Sequence, residues 1–268
     1  MSIQIFLLLG IPMFVIYLSI RAIDLRKGLR ALFLFQSLPT YFELFPRRLP
    51  SLYKRYLNEN DRFFMELSPN LQRSFGSRIM NFLDYKEFQT REGLGLTTEM
   101  KLVISSAAVR ITFGLRNYEF SLFHTIIIFP DEYYSNYSQQ SVNGETSAAG
   151  VIVFSWNDLK YGNSIPDDSI NLGYHEFAHA LFLEHLMEPY NNSFKDHYRE
   201  WLLFVKNNDK LGESVDKHIF RDYAATNEME FFAVALENFF ERPDHFKEGL
   251  PVLYVLMSKM LNQDLASS

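Results

Sequence analysis

Residues 175–179 read His-Glu-Phe-Ala-His, inside an otherwise apolar stretch from Asn171 to Leu186. On a helix, positions i and i+4 share a face, so His175 and His179 can present imidazole nitrogens to one ion. Glu176 lies about 100° round from the first ligand. It flanks the metal instead of binding it, where it can take a proton from a water and pass it to a leaving amine. Ionisable side chains in an apolar helix cost free energy unless paired or metal-bound. That cost favours a metal site over a chance match to the pattern.

His185 has the spacing of a third histidine ligand, as in His-Glu-x-x-His-x-x-Gly-x-x-His. The glycine that would turn the chain there is replaced by Phe182. In a continuous helix His185 falls about 120° off the ligand face, so it reads as a solvated surface histidine. The other solution is a carboxylate from a second helix downstream. Glu228, Glu230, Glu237 and Glu241 are the candidates, with Glu230 and then Glu237 foremost. Glu230 also has a purely structural reading: with Asn227 as N-cap it would be the third helical residue and complete a capping box.

The elements that must hold these residues are legible in outline. Residues 49–90 read as helices with turn signals at Asn58–Asp61 and Ser68–Asn70. Thr97 opens another helix. Two β-rich runs follow, His124–Pro130 and Gly150–Trp156, separated by polar residues 134–149 that suit a hairpin loop. Asp168 or Ser169 is expected to cap the histidine helix, which should end near Pro189. A further helix is expected from about Asn227 to just before Pro243, and a last one over Pro251–Leu261. Helices, then strands, then helices predict an α+β fold with a small, mainly antiparallel sheet.

The 268 residues suffice for one sizeable domain, alone or with an attachment. The net charge is −6 and no basic stripe appears, which argues against a nucleic-acid partner. With no cysteine, thiolate metal sites and cysteine nucleophiles are excluded. Ile3–Ile20 carries no charge and is long enough for a spanning helix of about 27 Å. Arg21, Arg26, Lys27 and Arg30 follow it, which by the positive-inside rule keeps the rest of the chain cytoplasmic. A cleaved signal peptide would want positive charge before the run and small residues after it, and has neither. The expected organisation is therefore an anchor over 1–22, a juxtamembrane amphipathic linker over 23–48, and a catalytic domain over 49–268. A soluble cytoplasmic protein is the alternative.

One block is more specific than His-Glu-x-x-His. The segment Asp222–Phe240, "DYAATNEMEFFAVALENFF", together with "FSWNDL" (154–159) and "FLDYKEFQTREGLGLTTEMKLVISSAAV" (82–109), resembles the zinc-dependent peptidases of the Mlc titration factor A type. The likeness runs from about Leu49 to about Asp264. It implies a zincin-like, gluzincin-type peptidase domain holding one zinc ion by His175, His179 and Glu230. It also implies Glu176 as general base and Tyr223 as a catalytic tyrosine. A phenol there could donate to the oxyanion of a tetrahedral intermediate. The expected partner is a peptide or protein substrate, with endo- and aminopeptidase action both open. By zincin analogy, Gly150–Trp156 is the expected edge strand along which a peptide lies. The resemblance also implies association with a transcriptional repressor. On that alternative the protein is regulatory and the metal site is of secondary catalytic importance. Members of the family tend to carry Lys-Leu-Asp after the second histidine, where this chain has Ala180, Leu181 and Phe182. That departure changes the apolar back of the metal helix and the hydrogen bonding behind His179.

Overall fold

Two hydrophobic clusters meet on one helix, and that helix decides where everything else goes. The structure, a computed structural model, describes residues 46–164, 170–187, 192–207 and 228–266. Three helices come first: α1 (Ser51–Asn60), α2 (Arg62–Glu66) and α3 (Pro69–Tyr85). The turn signals separate them as expected. The Asp61 side chain accepts from Phe64 N–H to cap α2, and Pro69 stands in the first turn of α3. Strand β1 (Glu87–Thr90) leads to α4 (Thr98–Ile111), capped by Thr97 accepting from Met100 N–H. Leu102 and Val109 of α4 pack into a cluster with Leu57, Phe64, Phe75, Ile79 and Phe113. Ile104, Ala108 and Ile111 belong to the larger core behind it.

Five more strands follow: β2 (Thr125–Phe129), β3 (Tyr133–Ser135), β4 (Gln140–Val142), β5 (Gly144–Ser147) and β6 (Val151–Ser155). The main sheet has the order β1-β2-β6-β5. β1 and β2 pair parallel, β2 and β6 pair parallel, and only β5 and β6 pair antiparallel. The sheet is thus mixed, not mainly antiparallel, and β2 and β6 are not a hairpin. Residues 134–149 hide a separate β3–β4 hairpin and the whole of β5. β6 is internal, so Gly150–Trp156 is not an edge strand; the edges are β1 and, beside β6, β5. A three-residue turn joins β5 to β6, with Gly150 N–H on the Ser147 carbonyl. Gly150 sits at φ +87°, where an added Cβ would lie 2.7 Å from the Leu122 carbonyl oxygen.

Six helices complete the described chain: α5 (Trp156–Ser164), α6 (Leu172–Met187), α7 (Asn192–Lys206), α8 (Glu228–Glu241), α9 (Pro243–Gly249) and α10 (Pro251–Leu261). α6 carries His175 and His179 and is buried on most of its circumference, with α4, α8 and the β5–β6 hairpin against it. Phe177 is its hub. Its ring lies 5.9 Å from Phe82, 5.2 Å from Phe120 and 5.6 Å from Phe154, tying α3, the preceding loop and β6 to the metal helix. Phe177→Ala should cost about 3–5 kcal/mol of stability, measured by denaturant unfolding. The far end of α6 is pinned through Glu184. That buried carboxylate accepts from Ser121 N–H at 2.5 Å, Ser121 Oγ at 2.6 Å and Leu122 N–H at 3.1 Å. Lys86 holds the same loop from the other side, donating to the carbonyls of Glu119, Phe120 and Phe123. Burial pushes the Lys86 amine down to about 8, and the nearby Glu184 charge opposes that shift.

The N-terminal run Ile3–Ile20 and the linker before Pro46 lie outside the described residues. Among the described residues no helix is long and apolar enough to cross a membrane. The single-pass membrane placement and the membrane contact drawn from Ile3–Ile20 are corrected accordingly.

Candidate metal centre

α6 begins at Leu172, and its cap is Asn171, not Asp168 or Ser169. The Asn171 side-chain oxygen accepts from Tyr174 N–H at 3.1 Å, while its carbonyl accepts from His175 N–H. One turn on, His175 and His179 stand on the same face with Nε2 atoms 3.0 Å apart. α8 packs across them and brings Glu230 in from its first turn. Glu230 Oε2 is 3.3 Å from His175 Nε2, and Glu230 Oε1 is 3.4 Å from His179 Nε2. These three side chains could hold a metal ion between them.

The donor set fits zinc on its dimensions. A tetrahedral ion with nitrogen and oxygen ligands at about 2.0–2.1 Å needs those atoms about 3.3–3.4 Å apart. The Nε2–Nε2 separation falls inside that range, and each imidazole has its own Glu230 oxygen at about that distance, Oε2 for His175 and Oε1 for His179. Both histidines turn the same ring nitrogen to the common point, with their planes at 88°. Among the described residues three side chains form the group; catalytic zinc sites use three protein ligands and keep a fourth position for water or substrate.

The electrostatics agree. Burial alone would lower His175, but hydrogen bonds to Glu230 and Glu237 and the charges of Glu237 and Glu176 outweigh it and push the imidazole up to about 10. His179 is pushed down to about 4 by burial and by the neighbouring His175 charge. In the metal-free centre the two carboxylates thus favour the protonated form of His175, while burial and His175 favour the neutral form of His179. Because His175 is raised above its ordinary 6.5, its contribution to metal-free stability is complete below about 6.5. It is lost as pH climbs through about 10. Zinc must displace that proton. Loading at pH 8 should release between one and two protons per ion, the first from His175 and the rest from ionisation of a bound water, read by titration calorimetry in buffers of different ionisation heat.

Glu176 is buried beside the ions' meeting point and does not join the three donors. Thr146 Oγ1, on β5, donates to Glu176 Oε2 at 2.8 Å and to its carbonyl at 2.9 Å. Burial pushes the Glu176 carboxyl up to about 7, against the pull of His175 and Thr146. β5 approaches this closely because residue 144 is glycine. A Cβ there would lie 2.5 Å from Glu176 Oε1 and 2.7 Å from Leu172 Cδ1.

The other sequence candidates fall elsewhere. Glu228 pairs with Lys206 at 2.5 Å. Glu241 accepts from Asn171 Nδ2 at 2.9 Å. Glu237 stands behind the site, on the far nitrogen of His175 at 2.7 Å. His185 is not a solvated histidine: it is 1% exposed and stacks on Phe194 of α7 with ring centres 4.1 Å apart. Burial, with Lys195 second, pushes it down to about 4. Tyr223 lies outside the described residues. Asn171, Thr146 and Gly144 were not singled out by the sequence; the cap position of Asn171, directly before the helix, was the available signal.

Comparison with known proteins follows the same segments. The profile of a family described as glucose-regulated metallo-peptidase M90 matches residues 43–261. Mlc titration factor A of Klebsiella pneumoniae is 26% identical over 234 residues, spanning 74% of this chain and 81% of its own length. Mlc titration factor A of Salmonella arizonae is 26% identical over 248 residues, spanning 76% of this chain and 90% of its own. A Synechocystis protein, slr2042, is 27% identical over 235 residues, spanning 81% of this chain and 86% of its own length.

Proposed function

This chain belongs to the glucose-regulated metallo-peptidase family M90, and we propose that it hydrolyses peptide bonds as a zinc-dependent, zincin-like peptidase. The domain responsible spans 49–268. The observation that carries this reading is the convergence of His175, His179 and Glu230 beside the buried carboxylate of Glu176 and an edge strand. A bound zinc ion would supply Lewis-acid polarisation of the scissile carbonyl and bring the pKa of a water toward about 7. His175, His179 and Glu230 hold the ion. Glu176 takes the proton of the attacking water and delivers it to the leaving amine. Thr146 holds Glu176 in place for both transfers. Tyr223 is assigned to donate to the oxyanion.

β5 is the strand along which we place the substrate. Ser155 N–H bonds the Asn143 carbonyl, so Glu145 and Ser147 share the paired register with β6. The peptide groups of Gly144 and Thr146 therefore face away from β6 and can extend the sheet by one more strand. Gly144→Ala should push Glu176 aside and lower kcat by about 10- to 100-fold. Zinc content should stay at the wild-type level, by metal analysis of the same preparation.

A second reading is partner binding, and the relatives' name favours it. These relatives are named Mlc titration factor A, a name that refers to Mlc and to no cleavage. On this reading a repressor or other protein is bound and the metal centre is secondary. Metal analysis with a peptide-library cleavage assay, run beside Glu176→Gln, separates the two. Library cleavage by the wild type and none by the variant supports the peptidase. No cleavage by a zinc-loaded wild type leaves partner binding.

A further inference from the structure

We infer that Glu237 is a positioning residue that sets the orientation of His175 for the metal, an inference that rests on His175, His179 and Glu230 being the ligands. Glu237 follows Glu230 by seven residues on α8, two turns along the same face, about 10.5 Å. One helix thus delivers an inner ligand and, further along, the support behind a ligand of another helix. The Glu237 carboxylate is almost fully buried and bridges two groups of α6. Oε1 accepts from His175 Nδ1 at 2.7 Å, and Oε2 accepts from Asn171 N–H at 2.7 Å. Asn171 is the helix cap, held in turn by Glu241 at its Nδ2.

Two consequences follow. With its Nδ1 proton committed to a carboxylate, His175 presents the Nε2 lone pair to the ion, and the ring cannot flip without breaking a charge-assisted bond. The same carboxylate fixes the ring to the first turn of the helix that carries it. His179 has no such support: its Nδ1 is buried without a hydrogen-bond partner among the described residues. Among the described residues the support behind the pair is thus Glu237, acting on His175.

The test is zinc affinity of the full chain, by competition with a fluorescent chelator, for wild type, Glu237→Gln and Glu237→Ala. The thermal midpoint of each metal-free protein is taken alongside. Gln keeps one acceptor oxygen at the same reach and loses the charge, so zinc should bind about 10-fold more weakly; Ala removes the support, for about 100-fold. That graded loss of affinity is the expected result, with a folded Gln variant whose metal-free midpoint is lowered because the amide keeps only one of the two acceptors and no charge. If Ala does not fold, the Gln variant alone decides. Equal zinc affinity in wild type and the folded variants, with or without a lowered midpoint, overturns the inference and leaves the metal reading standing. A wild type that takes up no zinc overturns both.

Discussion

On the proposed mechanism, Glu176→Gln is expected to lower peptide hydrolysis by about 10²- to 10⁴-fold, the range general acid–base groups supply, while the protein should still take up one zinc ion. The amide is isosteric and keeps Thr146 Oγ1 as a neighbour, so the packing of β5 on α6 survives. What is lost is the ability to accept a proton. The outcome is read as kcat on a cleavable peptide, with zinc content on the same sample. The pH profile supplies the sign. Burial raises the Glu176 carboxyl to about 7 in the metal-free centre, and the base form exists above its pKa. Activity should therefore rise with pH on the acid limb. A zinc ion beside the carboxylate favours its charged form, so the limb of the loaded enzyme should lie below 7. Full activity in Glu176→Gln, or loss of zinc with it, removes the residue from this role.

His179→Ala and Glu230→Ala should abolish the stabilisation that zinc is expected to give the wild type. At free zinc about 1,000-fold above its dissociation constant, a ligand that binds only the folded state adds about 4 kcal/mol. Removing one of three ligands should weaken zinc by more than the roughly 10- to 100-fold typical of outer groups, and the gain disappears. The metal-free fold should persist. His179 is neutral there and Glu230 sits in the first turn of α8 at the edge of the core, whereas Phe231 and Phe232 carry the packing. Thermal unfolding with and without zinc reads this directly. A zinc-dependent rise in either variant equal to the wild type's would show that the ion binds elsewhere.

The ligand pair was legible because i, i+4 spacing is a property of any helix, and nothing but the helix is needed to bring His175 and His179 together. The third ligand was harder. Glu230 and Glu237 are a heptad apart and share a face, so periodicity cannot say which meets the ion. The placement of α8 against the start of α6 decides, putting Glu230 against His175 Nε2 and Glu237 on the back of the same ring at Nδ1. The sheet was misread for a physical reason. Val151–Phe154 is apolar on both faces, the mark of a central strand, while the true edge, Gly144–Ser147, is polar and hid within what looked like a loop. His185 was misjudged because the ligand-face argument looked at one helix, and its burial comes from α7 folding back over it. The cap of α6 fell one residue before the helix, at Asn171, since its side chain could satisfy Tyr174 N–H without the residues upstream.

The central claim is one divalent ion held by two neighbouring turns of α6 and the first turn of α8, with a coordination position left for substrate. A crystal structure of the zinc-loaded protein, with anomalous differences recorded at the zinc edge, tests it most directly. The predicted peak lies about 2.0–2.1 Å from His175 Nε2, His179 Nε2 and a Glu230 oxygen, with only solvent opposite. No peak between these three residues, or a fourth protein side chain closing the coordination shell, would contradict it.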